Sequence, residues 1–347
     1  MKILFKIVLF FWFAQTIISC SPSSSTPITP ARDRQEVYNE DILEIEDYLK
    51  SNYIEFDANN NATITKIPEG GTQTSIWNQY TNNDVDPFPS INVKNDTRIT
   101  VLTDGRIDDN VDYKLYYIKL NEGGGQTPTQ VDSTFVGYKG WNLSNVTFDE
   151  NNSGTWFSYP DVNTSISGFK QILSTVKTAA SVTENTNGAL TYNNAGNVIV
   201  FIPSGLAYFN NARLKIDAYA PIVFQIKLYG LKERNHDADG VPSKYEDFSY
   251  DPVTFERIYA PDNDYFNDDT DGDKIPDFYD TDDDGDGYLT KYEIKKPTPF
   301  LGVSTYYPYN NDAFEPKGIP DASGDGTTTL RLRRHLDKTT KPPYTVY

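Results

Sequence analysis

The chain has 347 residues and a formal charge of -18, from 31 Lys and Arg against 49 Asp and Glu, which argues against nucleic acid because phosphate binding needs a basic surface. Its single Cys excludes an internal disulfide, and its two His, His236 and His335, leave a Ser-His-Asp hydrolase or a His-based zinc site hard to assemble. Hydrophobic residues make up only 37%, but 14% aromatics, mostly Tyr and Phe, can still furnish a core of moderate size. Abundant Asn, Thr, Gly and Pro favour strands joined by turns over long helices.

At the amino terminus Lys2 and Lys6 precede an apolar run, Ile7 to Ala14 (IVLFFWFA), and then Ile17-Ile18-Ser19-Cys20. The run is short for spanning about 30 Å of hydrocarbon, so residues 1–19 read as a signal peptide and not as an anchor. The last four residues resemble the lipobox of bacterial lipoproteins, which implies lipidation of Cys20 and a membrane tether in the cell envelope, at the outer membrane. Residues 20–33, rich in Ser and Pro, read as an extended linker.

In residues 34–110, Tyr38, Ile42, Ile45 and Leu49 fall on one stripe, which predicts a helix over Arg34 to Ile54. That helix either docks on the following domain or pairs two chains as a homodimer. The stretch from Asp57 to Asp104 is polar and turn-rich, with one strand expected at Arg98 to Leu102. Strands become readable at Tyr113 to Leu120 (YKLYYIKL), Ser133 to Tyr138, Asn197 to Ile202 (NVIVFI) and Ile222 to Tyr229 (IVFQIKLY). Between them Ile166, Phe169, Ile172, Leu173 and Val176 have the spacing of a short amphipathic helix. Antiparallel strands with one such helix make an α+β fold, with one sheet face packed on the helix.

Five motifs in this region come in a telling order. Val136-Gly137-Tyr138-Lys139-Gly140 is followed by Thr147-Phe148-Asp149 and by Ser165-Ile166-Ser167-Gly168-Phe169. Ile202-Pro203-Ser204-Gly205-Leu206-Ala207-Tyr208 and Ile216-Asp217-Ala218-Tyr219-Ala220-Pro221-Ile222-Val223-Phe224 complete the set. Together they resemble the FKBP family of peptidyl-prolyl cis-trans isomerases over residues 111–232. The resemblance implies an antiparallel sheet wrapped around a short helix, and a prolyl pocket lined by Tyr138, Phe148, Asp149, Trp156, Ile166, Phe169, Tyr208 and Phe224. Phe157 can take the place of Trp156, and Ser165 and Ile216 would stand at the rim. Two residues depart from the family pattern: Phe169 replaces the floor Trp, and Asp217 replaces a Pro. The implied substrates are proline-containing polypeptides, and no organic cofactor is needed because no bond is broken. The alternative is a noncatalytic, calcium-stabilised surface lipoprotein whose cup holds a peptide or a protein partner.

Behind that domain, residues 233–297 concentrate acid. Asp282, Asp284, Asp286, Gly287, Tyr288, Thr290 and Glu293 satisfy the EF-hand loop pattern, in which alternate carboxylates, one carbonyl and a closing Glu surround calcium. Asp269, Asp271, Asp273, Asp277 and Asp280 have the spacing of thrombospondin type 3 repeats, with Lys274 where Gly is expected. Asn235, Asp237, Asp239, Gly240, Ser243 and Glu246 form a third candidate, with Pro242 at the usual apolar position. The second and third loops in chain order are separated by Thr281 alone, which leaves no room for flanking helices. The segment therefore reads as irregular and braced by structural calcium. The tail, 298–347, carries a basic patch at Arg331, Arg333, Arg334 and His335, expected to be solvated, to bridge to the acidic loops or to meet an outer partner.

Overall fold

In the computed structural model, Asp33 opens the first helix, α1 (Arg34–Ser51), by accepting a hydrogen bond from the Glu36 amide at 2.9 Å. The described residues are 30–81, 87–95, 109–160, 166–247, 249–250, 257–258, 264–297, 304–309, 318–321 and 332–344. Cys20, Ser165, Arg331 and the strand expected at Arg98 to Leu102 lie outside them. The chain divides into Met1–Arg32 and Asp33–Tyr347, and every element below belongs to the second part. No helix among the described residues is long and apolar enough to cross a membrane.

Helix α1 stops where Asn52 turns extended and its side-chain amide caps the Tyr48 carbonyl at 2.8 Å. It therefore falls short of Ile54, which instead enters a hairpin, β1 (Asn52–Phe56) and β2 (Ala62–Lys66). A short helix, α2 (Ile76–Tyr80), and strand β3 (Ser90–Lys94) follow. Strands β4 (Asp112–Asn121), β5 (Ser133–Asn142) and β6 (Thr147–Ser158) precede helix α3 (Ser167–Ile172). A small hairpin, β7 (Ser181–Glu184) and β8 (Leu190–Asn193), leads to β9 (Gly196–Ile202) and β10 (Ile222–Lys232). Six strands form one antiparallel sheet in the order β3-β4-β9-β10-β5-β6. The fold is α+β.

Alternation along the strands divides the core in two. Leu115, Val198, Val200, Ile202, Phe224 and Ile226 face α3 and pack with Phe169, Ile172 and Leu173. Tyr116, Ile118, Ile199, Phe201 and Val223 face the other way, onto Ile45, Tyr48, Leu49, Ile54 and Ile64. Strand β9 is buried at all seven positions because both of its faces are covered. The sequence predicts cover on one face only; α1 and the β1–β2 hairpin supply the other. The stripe on α1 is thereby used inside its own chain, as the docked alternative expects. Gln225, buried on the α1 face, fastens the hairpin by accepting from the Ala62 amide at 2.8 Å and donating to the Asn60 carbonyl at 2.6 Å.

The tail is folded in as well. Arg333, Arg334 and His335 are buried, the Arg334 guanidinium lying 4.0 Å from the Tyr344 ring and that of Arg333 3.7 Å from the Tyr309 ring. These three residues of the basic patch are thus not a solvated surface. Lys341, further on, does reach an acidic loop, donating to the Asp286 carbonyl at 2.7 Å.

Helix α1 also holds the turn after β9. Buried Asp41 accepts from the Ser204 amide and the Ser204 hydroxyl, both at 2.7 Å and both on one oxygen, Oδ2. At the head of the helix, Arg34 pairs with Asp109 at 3.0 Å and stacks 4.1 Å from the Phe209 ring. Asp109 receives Asn95, which also donates to the Gly205 carbonyl at 3.0 Å. Asp41→Ala should strand two buried donors and lose about 2 kcal/mol or more of stability in urea denaturation. Asp41→Asn keeps an acceptor oxygen in place and should be neutral or stabilising at pH 7. Burial pushes the Asp41 carboxyl from its ordinary 3.8 up to about 6. Between those values the folded chain holds a proton that the unfolded chain has released. The group's contribution to stability therefore rises as pH falls from about 6 to about 4, and Asp41→Asn should flatten that rise.

Candidate functional site

The aromatic residues of the five motifs converge on the α3 side of the sheet. Tyr138 on β5, Phe169 on α3 and Phe224 on β10 stand edge to face, with centroids 5.8 Å (Tyr138–Phe169), 5.9 Å (Tyr138–Phe224) and 5.2 Å (Phe169–Phe224) apart. Phe148 stands at 5.4 Å from Phe224, again edge to face. This close set depends on Gly140, where an added Cβ would lie 2.6 Å from carbons of both Phe148 and Phe224. Phe169 and Phe224 are buried as a floor, and Tyr138, Phe148, Ile166 and Tyr208 are partly buried around them.

Trp156 is not in this group. Its side chain is 52% exposed and packs on Phe135, with centroids 5.2 Å apart, on the opposite side of the sheet from Tyr138. Phe157 occupies the place, 5.5 Å from Phe169 and 6.0 Å from Tyr138. Ile216, expected at the rim, is buried in the core cluster instead, held in a tight turn by reciprocal backbone bonds with Arg213. Asp149 stands exposed beside the cup and accepts the Tyr138 hydroxyl at 2.9 Å. Burial, that bond and the Asp149 charge push the Tyr138 phenol up to about 12. Burial raises the Tyr208 phenol too, against the Arg213 guanidinium 5.3 Å from its ring. Both hydroxyls therefore stay protonated at neutral pH, but among the described residues only that of Tyr138 is already spent on a carboxylate.

The three acidic loops share one backbone. At the fourth position Ala238, Gly272 and Gly285 have φ of 64°, 83° and 63°, and at the sixth Gly240, Lys274 and Gly287 have φ of 110°, 80° and 92°. In each loop the fifth residue's amide bonds the third carboxylate: Asp239 to Asp237, Asp273 to Asp271, Asp286 to Asp284. In each, the second residue's amide bonds the ninth side chain, respectively Ser243, Asp277 and Thr290. The loop with Lys274 thus keeps the left-handed turn that Gly usually provides. One carboxylate oxygen each from Asp269, Asp271 and Asp273, and one each from Asp282, Asp284 and Asp286, lie within 4.8 Å of one another in each set. Burial first, and then the charges of Asp284, Asp286 and Asp282, push buried Glu293 up to about 9 against a bond from Tyr344. The Tyr288 amide donates to Asp286 at 2.7 Å, Thr290 accepts from the Asp283 amide at 3.3 Å, and Asp280 accepts from the Asp282 amide at 2.9 Å. Asn235 caps the Ala238 amide at 2.6 Å. One group was missed: Asp283, which joins Asp237, Asp239 and Glu246 across the loops. The loop pattern assigns its position no ligand role, so spacing alone gave no signal.

Two substitutions check these placements. Phe157→Ala should lose about 2 kcal/mol or more in thermal unfolding, whereas Trp156→Ala, half in solvent, should lose under about 1 kcal/mol. Lys274→Gly should leave the loop intact and add up to about 1 kcal/mol by removing a side chain from left-handed backbone.

Residues 236–319 match the family model described as BamM C-terminal. No curated protein matches the chain. Among solved structures it is similar to FkpA from Escherichia coli, at 23% identity and a TM-score of 0.27, over 34% of this chain and 48% of that one. It thus spans about half the length of that neighbour. A peptidyl-prolyl cis-trans isomerase from Pseudomonas syringae pv. tomato shows 24% identity and a TM-score of 0.28 over 39% of this chain and 81% of that one. The N-terminal domain of FKBP42 from Arabidopsis thaliana shows 16% and 0.29, over 37% and 96%. At these TM-scores the likenesses carry no functional weight.

Proposed function

We propose that the chain is a peptidyl-prolyl cis-trans isomerase of the bacterial cell envelope, tethered by lipid at Cys20 and acting on proline-containing polypeptides. The observation that supports this most directly is the edge-to-face set of Tyr138, Phe148, Phe157, Phe169 and Phe224, in which Phe157 meets Phe169, with Tyr208 beside it. The Asp282–Glu293 loop would hold calcium as a brace, Asp282, Asp284, Asp286 and Glu293 giving carboxylate oxygens and Tyr288 its carbonyl.

Rotation about an X-Pro bond meets a barrier of about 18–20 kcal/mol because the C–N bond is partly double. The twisted amide is less polarised than either planar form, so a dry aromatic cup binds it better than water does. Phe169 would lie under the proline ring. The protonated Tyr208 hydroxyl would donate to the substrate carbonyl, since that of Tyr138 is held by Asp149. Lowering the barrier requires only that the twisted form be held more tightly than the planar ones. Phe169 offers less surface than the Trp it replaces in the FKBP pattern, which points to modest turnover.

A protease-coupled assay with a proline tetrapeptide should show acceleration by the full chain. Tyr208→Phe should lower kcat/KM several-fold, in keeping with about 1 kcal/mol for one hydrogen bond. Trp156→Ala should leave it unchanged. Peptide binding without any acceleration would make the cup a holding site, which the smaller Phe169 floor also suits, and would overturn the enzymatic reading.

A further inference from the structure

The first acidic loop is completed from outside itself. Asp237, Asp239 and Glu246 come from one loop and Asp283 from another, yet one oxygen of each lies within 4.8 Å of the others. Asp283 is the second residue of its loop. Its side chain leaves Asp282, Asp284 and Asp286 to form their own group and joins this one.

What marks the group as built for a ligand is its unmet demand. Glu246 is 2% exposed and Asp283 1%, and neither carboxylate has a hydrogen-bond donor on either oxygen. One oxygen each of Asp237 and Asp239 is likewise buried without a donor. Buried polar atoms are nearly always paired, and buried charges are paired or bound to metal. Here six such oxygens sit on four like-charged groups, and one oxygen of each group lies within 4.8 Å of the other three. The set is all hard oxygen, and four carboxylates can supply the six to eight contacts that calcium takes, without the waters that magnesium retains.

We propose that Asp237, Asp239, Glu246 and Asp283 form a closed site for a divalent cation of the calcium class, belonging to neither loop alone. The cation pins the third loop onto the first, which continues directly from β10. The site is separate from the one read in Asp282, Asp284, Asp286 and Glu293, and it does not depend on isomerase activity. Because Asp283 lies between two ligands of that neighbouring loop, filling either site orders the other's backbone, and the two ions should bind with positive cooperativity.

The full chain, stripped with chelator, is titrated with calcium by calorimetry and its bound ions are counted by native mass spectrometry. Asp283→Asn should lose one ion, and Glu246→Gln should lose the same one, so that the double variant also lacks only one. Glu293→Gln should lose a different ion, and its combination with Asp283→Asn should lose two. Full calcium content in Asp283→Asn, or loss of two ions in the Asp283→Asn/Glu246→Gln double variant, would overturn the shared site, as would a wild-type chain that binds no calcium. Thermal unfolding guards against simple misfolding. In chelator Asp283→Asn should be at least as stable as the wild type, because it carries one like charge fewer. The calcium-induced rise in its midpoint should be at most half of the wild-type rise. An equal drop in midpoint with and without calcium would mean that Asp283 serves packing alone, and would sink the proposal.

Discussion

The Asp41–Ser204 contact is where the two halves of the core meet the cup. Ser204 begins the turn that carries Tyr208, and a turn by itself has few apolar contacts to fix it. Two hydrogen bonds from one residue to a single buried oxygen fix both its backbone and its side chain. Arg34, two helical turns earlier on the same face, fixes the far end of that turn through Phe209, while Asn95 grips its middle at the Gly205 carbonyl. Burying a carboxylate for this purpose is unfavourable in itself, as its raised titration shows. The arrangement persists because the oxygen meets two donors that would otherwise be buried without an acceptor.

The same helix explains why the sheet is two-sided. An antiparallel sheet can leave one face in water, and its strands then alternate apolar with polar. Strand β9 does not alternate, and neither does the start of β10, so these strands need cover on both faces. Helix α1 and the β1–β2 hairpin provide it, with Gln225 and Asn197 as polar fastenings within a largely apolar layer. The site therefore sits on a platform that is braced from behind.

Much of this was readable in the residues. The run NVIVFI declared a buried strand, the stripe on α1 declared an apolar face in need of a partner, and the three Asp-rich loops declared a common turn. What stayed hidden was set by register. The hairpin at Asn52–Lys66 has short strands and polar outer faces, so no long period marks it. Strand β6, TFDENNSGTWFS, is too polar to announce itself. Counting by twos from Phe148 leads to Trp156, yet the pairing slips by one residue between Gly140 and Trp141 of β5, and the phase shifts to Phe157. Asp283 escaped for a similar reason: its role comes from which loops lie together, and local spacing is silent on that.

That slip in β6 has a second effect, at the border of the molecule. The strand is the outermost of six, and a long outer strand with free amides and carbonyls is a template on which a foreign chain could add itself. Its pairing is broken twice, opposite Gly140/Trp141 and opposite Val136/Tyr138, and Asp149 and Glu150 stand exposed along it. An incoming strand would find no straight run of evenly spaced partners there, and would bring its own backbone against negative charge. A protein whose proposed work is to handle unfolded chains thus keeps one of its own margins unattractive to them.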